Sequence, residues 1–145
     1  MRAVVTRCTE AEVVVEGEVV GRLPEPGLMA LIGVTHDDDA KEAAKIARKI
    51  SGLRILDGEV SATDAGAPIL VVSQFTLYGD ARKGRRPSWS KASPREHSEP
   101  LVETLVELLR AEGLHVETGQ FGAMMRVRSV NDGPFTVLLD SSELA

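Results

Sequence analysis

Three observations predict a mixed α/β fold with mostly antiparallel strands and two main helices packed outside. Short alternating apolar runs recur along the chain, two longer stretches carry helical spacing, and Gly, Pro, Asn and Asp clusters separate them. At 145 residues the chain fits one domain, 1–145, large enough to bury about two thirds of its unfolded surface. With 43% hydrophobic and 27% charged residues the composition is that of a globular protein, not a disordered one. No apolar stretch approaches membrane-spanning length and no signal-peptide core precedes the first strand, so a cytoplasmic protein without a membrane partner is expected.

Ala3 to Cys8 and Glu12 to Glu16 alternate as two strands, and Glu16-Gly17-Glu18 turns the chain into Val19 to Leu23, giving an N-terminal meander. Leu28 to Val34 reads as a central strand. Asp37-Asp38-Asp39 admits two readings. Clustered carboxylates suit a magnesium ion, but Asp39 three residues before Glu42 also matches a capping box, and the helix start is preferred. Ala43, Ile46, Ala47, Ile50 and Leu53 then mark an amphipathic helix ending near Gly52. Arg54 to Leu56 predicts a short strand and Ser61 to Pro68 a small-residue loop.

Ile69 to Val72 is continuous and β-branched or apolar, as in a strand buried on both faces. Ser73, Gln74 and Thr76 then interrupt it before the Gly79-Asp80 turn signal. Polar groups there bond to neighbouring backbone or serve a ligand, and local sequence leaves both open. Ser93-Pro94-Arg95-Glu96 starts a second helix, with a kink or restart expected near Ser98 because Pro100 removes a hydrogen bond. Val116 to Thr118, Met124 to Val130 and Phe135 to Leu139 complete the strands, the last two joined by a turn or bulge at Asn131-Asp132-Gly133-Pro134.

The net charge of −5 disfavours indiscriminate polyanion binding, and DNA is not an expected partner. Yet Arg82, Lys83, Arg85, Arg86, Lys91 and Arg95 fall in a stretch without carboxylates, which suits one particular phosphate-bearing ligand as well as a solvated loop. Trp89, the only tryptophan, either stacks on a base or anchors this loop. Cys8 is expected to be a small buried hydrophobe. His36, His97 and His115 lack ligand or triad spacing, and no Rossmann glycine motif or P-loop occurs, so neither metal nor cofactor is expected.

Ser73-Gln74-Phe75-Thr76-Leu77, the loop through Arg86-Pro87-Ser88, and Asn131-Asp132-Gly133-Pro134-Phe135-Thr136 together resemble the D-aminoacyl-tRNA deacylases, also called D-tyrosyl-tRNA deacylases, over essentially the whole chain. The resemblance implies a barrel-like core, a homodimer, and hydrolysis of the ester between a D-amino acid and the terminal adenosine of tRNA, with glycine tolerated. It implies that Gly133-Pro134 is cis and reaches the partner subunit's site, where it rejects L substrates. Phe75 and Thr76 would supply backbone amides to an oxyanion, with the Thr76 hydroxyl as a rival nucleophile. Ser73, Gln74, Leu77 and Met125 would bind substrate beside Gly133 and Pro134. Arg82, Lys83, Arg85 and Arg86 would meet tRNA phosphates. Relatives often carry a Met-Asn pair where Val60-Ser61 stands here. Two rival functions are a non-catalytic RNA-binding module and a metal-dependent hydrolase using Asp37 to Asp39.

Overall fold

The computed structural model describes residues 1–145. Six strands form one sheet: β1 (Arg2–Val15), β2 (Glu18–Arg22), β3 (Gly27–Gly33), β4 (Ile69–Ser73), β5 (Val116–Thr118) and β6 (Arg126–Asp140). Their path runs β2-β1-β3-β4-β5, with β6 also paired to β1. Pairings of β1 with β2, β3 and β6 are antiparallel, whereas β3-β4 and β4-β5 are parallel.

The sheet curls until it nearly closes. β2 approaches β5 so tightly that a Cβ on Gly21 would run into the Thr118 carbonyl, and the Arg22 amide donates to Glu117 Oε1 at 3.4 Å. Seven residues, among them Cys8, Val13, Met29, Leu70 and Val72, fill the inside of the curl. The other face carries the larger core, where α1 (Ala40–Gly52) and α3 (Arg95–Ala111) pack on Val5, Ile32, Ile69 and Val71 through Ile46, Ile50, Leu105 and Leu109. The barrel-like core with two main helices outside is thus present, with an additional single-turn helix, α2 (Ala62–Ala65).

Several local expectations change. The two N-terminal strands are one, because β6 pairs along both halves of β1 and carries it across a register shift between Thr6 and Glu10. The two C-terminal strands are likewise one. Cys8 opposes Asn131 and Thr6 opposes Thr136, so Asp132 to Phe135 bulge out of β6 and do not reverse the chain. Arg54 to Leu56 is no strand, only a single bridge from Leu56 to Val60. The Ser61 loop contains α2 because Ser61 and Asp64 complete a capping box. α3 runs through Pro100 unbroken, and its apolar stripe of Val102, Leu105, Val106 and Leu109 is buried immediately beyond the proline. Tertiary packing outweighs the lost hydrogen bond there.

Asp37 to Asp39 do not form a ligand cluster. Asp38 is buried, takes the Met1 ammonium at 2.7 Å and accepts from the Thr35 amide at 2.8 Å. Asp39 caps α1 by accepting from the Lys41 amide at 2.9 Å. No group of three His, Cys, Asp or Glu side chains could hold a metal ion.

Candidate active site

β4 lies between β3 and β5 and is buried up to Ser73. The Gln74 amide adds one further bond, 2.7 Å to the Ile32 carbonyl, and the chain then folds into a single 3-10 turn, Phe75–Tyr78. The seat for this turn is Gly33, where a Cβ would stand 2.9 Å from Leu77 Cβ and 3.1 Å from the Gln74 carbonyl. No side chain caps the turn, and the N–H groups of Phe75 and Thr76 are left without an intrahelical acceptor. Tyr78 is buried beneath, and burial with nearby carboxylates pushes its hydroxyl pKa well up.

A cavity of about 430 Å³ opens beside the turn. Ser73, Gln74 and Phe75 form one wall, and Phe121, Met124 and Met125 another. Met125 reaches it over Gly119, where a Cβ would meet its sulfur at 2.7 Å. The start of α3 completes the cavity with Arg95 and Ser98, alongside Ser93, whose Oγ is buried with no hydrogen-bond partner. A second hollow of about 290 Å³ continues along α3 past Glu103 and Arg110, sharing Ser73, Val102 and Phe121 with the first.

Thr76 stands just outside the cavity. Its Oγ1 accepts from Gln74 Nε2 at 2.6 Å, and no histidine attends it: His36 bonds to the Ser90 carbonyl, His97 to the Asp38 carbonyl, and His115 to Glu117. Leu77 lines a different groove, with Val4 and Leu138. Gly133 and Pro134 do not line the cavity of their own chain. They lie on the β6 bulge, both exposed, joined by a cis peptide bond.

Arg7 holds that bulge. Its Nε donates to the Asp132 carbonyl at 3.0 Å, its Nη2 to the Gly133 carbonyl at 3.4 Å and its Nη1 to the Ile55 carbonyl at 3.2 Å, while the guanidinium lies 4.4 Å from the Phe135 ring centre. Sequence reasoning passes over Arg7, although a charged residue on a strand whose neighbours alternate toward a core is the available signal. Arg95, Ser93, Ser98 and Phe121 also escape it as cavity walls, because nothing local brings them to the end of β4.

The basic loop is exposed throughout Ala81 to Ser90. Arg82 is not free within it: its guanidinium is bound to Asp80, at 2.7 Å from Nη2, and holds that carboxyl far below the usual range. Lys83, Arg85 and Arg86 make no ion pair. Trp89 turns back onto the Phe75–Tyr78 turn, packing edge-on against Phe75 with ring centres 5.6 Å apart and against the bare face of Gly79.

Fold and cavity place the chain among barrel-like α/β proteins whose ligand site opens at the carboxyl end of a buried central strand. A family profile described as D-Tyr-tRNA(Tyr) deacylase matches residues 4–140. The D-aminoacyl-tRNA deacylase of Thermobifida fusca is 64% identical over 140 residues, covering 97% of this chain and 99% of the relative. That of Kineococcus radiotolerans is 60% identical over 141 residues, covering 97% and 100%. Among solved structures, one described as a c-Myc DNA unwinding element binding protein superposes with a TM-score of 0.89 at 38% identity, covering 97% of this chain and 98% of the other. A probable eukaryotic D-amino acid tRNA deacylase shares the fold, with a TM-score of 0.80 at 17% identity over 95% of this chain and 97% of the other. The chain belongs to the D-Tyr-tRNA(Tyr) deacylase family. It is a hydrolase, a D-aminoacyl-tRNA deacylase. No helix is long and apolar enough to cross a membrane.

Proposed function

We propose that the deacylase works as a homodimer in which each cavity is completed by the Gly133-Pro134 bulge of the other subunit. The observation that carries the chemistry is the pair of Phe75 and Thr76 N–H groups without intrahelical acceptors beside the cavity. Water attacks the ester carbonyl carbon. The oxyanion that develops is held by those two amides, and collapse of the tetrahedral intermediate expels the ribose 3′-oxygen, which takes up a proton. The neighbouring 2′-hydroxyl of the substrate assists that transfer. Thr76 lacks an adjacent base, which argues against its hydroxyl as the nucleophile.

Support for the dimer comes from β6. It is a long edge strand paired on one side only, and it exposes Val127, Val130, Phe135 and Leu138, the last 78% accessible. An uncovered apolar edge is a surface that proteins ordinarily pair or hide. In the complex, the Gly133 and Pro134 carbonyls accept from the substrate α-ammonium, fixing the α-carbon so that an L side chain strikes backbone. Such a filter ignores side-chain identity and passes glycine, so charged Gly-tRNA is a substrate too.

Ser73, Gln74 and Met125 bind the terminal adenosine and the chain around it, with Phe75 against the base, while Leu77, which faces a different groove, has no place in that contact. Lys83, Arg85 and Arg86 contact acceptor-stem phosphates, and Arg82 supports the loop through Asp80 while adding its charge. An aminoacyl-tRNA substrate argues for a cytoplasmic enzyme. We keep tRNA rather than DNA as the partner because the unpaired cations cluster in one loop of a chain with net charge −5. Purified protein is expected to release amino acid from D-Tyr-tRNA and Gly-tRNA but not L-Tyr-tRNA. Retention of tRNA without hydrolysis would reduce it to a binding module.

A further inference from the structure

We infer that Arg2, at the start of β1 and outside the cavity walls, is a positioning residue that fixes the Phe75–Tyr78 turn for catalysis. The inference rests on the reading of that turn as the oxyanion-binding element. Arg2 Nη1 donates to the Leu77 carbonyl at 3.0 Å, and its guanidinium lies 4.5 Å from the centre of the Tyr78 ring. Its Nε donates to Asp140 Oδ2 at 3.1 Å. One side chain thus grips two consecutive residues of the turn and ties both to the end of β6.

The anchor behind Arg2 is rigid. The preceding ammonium is buried between Asp38 Oδ1 and Ser141 Oγ, at 2.7 and 2.8 Å, and Asp140 accepts in addition from the Ser142 hydroxyl at 2.8 Å and amide at 3.0 Å. An uncapped four-residue turn has little stiffness of its own. Gly33 supports it from the sheet side, but Gly33 offers only a surface, and Trp89 covers its outer side through Gly79. Arg2 supplies the directional bonds. A planar fork can make the Leu77 and Asp140 bonds together while lying on an aromatic face, which a lysine ammonium cannot match.

Trp89 makes the inference testable without relying on turnover, because the only tryptophan packs against Phe75 in this turn. Arg2→Met, Arg2→Lys and Asp140→Asn are compared with wild type by steady-state hydrolysis of D-Tyr-tRNA, acrylamide quenching of Trp89 and thermal unfolding. For Arg2→Met a loss of about tenfold to a hundredfold in kcat is expected, as for a small misplacement of oxyanion donors, with KM unchanged and Trp89 more readily quenched. Arg2→Lys should recover part of both effects, and Asp140→Asn should show them in weaker form even if Arg2→Met fails to fold. Unchanged kcat with unchanged quenching would overturn the role of Arg2 and leave the oxyanion reading standing. Increased quenching with unchanged kcat would overturn both, since the turn would have moved without consequence for the chemistry. A raised KM at constant kcat would make Arg2 a binding residue and also overturn the inference.

Discussion

Gln74 Nε2 donates a 2.6 Å hydrogen bond to Thr76 Oγ1, so the one aliphatic hydroxyl on the Phe75–Tyr78 turn faces an amide and not a base. Removing it should therefore leave the reaction largely intact. Thr76→Ala is expected to keep kcat within about tenfold of wild type, whereas loss of a true nucleophile costs about 10⁴-fold or more. Single-turnover hydrolysis of D-Tyr-tRNA distinguishes the two, and a trapped acyl-Thr76 would decide for the nucleophile.

Gly133 gives a cleaner test than most glycines. A Cβ there would meet nothing nearer than Asn131 Oδ1 at 3.9 Å within its own chain. Gly133→Ala should leave thermal stability within about 0.5 kcal/mol, as for surface changes. In the proposed dimer the added methyl would project into the partner's site, so its effect should fall on turnover of D substrates. An unaltered D rate with unaltered exclusion of L-Tyr-tRNA would contradict the cross-subunit filter.

The cationic loop should act through salt. Replacing Lys83, Arg85 and Arg86 by Ala is expected to weaken tRNA binding and to flatten its salt dependence by about 0.7–0.9 in log–log slope for each phosphate left without its cation. Arg82→Ala should behave differently, since its partner is Asp80 and its removal loosens the loop as well. Binding isotherms across a salt series measure both.

Asp38 is a matter of stability. The Met1 ammonium beside it is fully buried, so Asp38→Ala strands a charge in the core at a cost of about 3–5 kcal/mol. Urea denaturation at neutral pH should show that loss as a lower midpoint with an unchanged slope.

Acid should reveal Asp140. Burial pushes its carboxyl pKa up, but the Ser142 hydroxyl and amide and the Arg2 guanidinium outweigh that and hold it below the usual value. A depressed folded pKa means the ionised carboxylate stabilises the fold above the unfolded pKa, on the order of 4, and the contribution fades as pH falls through the folded value. The stability gap between wild type and Asp140→Asn is thus expected at about pH 6 and should narrow below about pH 4.

The strands and helices were legible because burial imposes its period locally. Ile69 to Val72 announces a strand covered on both faces, and Ala43 to Ile50 a helix with one apolar stripe. The turn chemistry of Glu16-Gly17 was equally plain, and both residues adopt the positive φ that such a hairpin requires. The signature residues Ser73 to Leu77 and Asn131 to Thr136 carried the family through resemblance.

What local pattern could not decide was continuity and assembly. Whether Asn131 to Pro134 reverses the chain or bulges from it depends on β1 pairing with both flanks, a contact between the two ends of the sequence. Pro100 argues for a broken helix until the core beneath α3 is counted. The cavity draws on β4, the start of α3 and the segment before β6, and no period in any of them reports the other two. Arg2 and Arg7 looked like charges on a strand; only the folded chain shows one gripping the Phe75–Tyr78 turn and the other the Gly133 bulge. Side-chain identity is local, but a hydrogen-bond partner is a property of distance in space, and closing the sheet is what sets those distances.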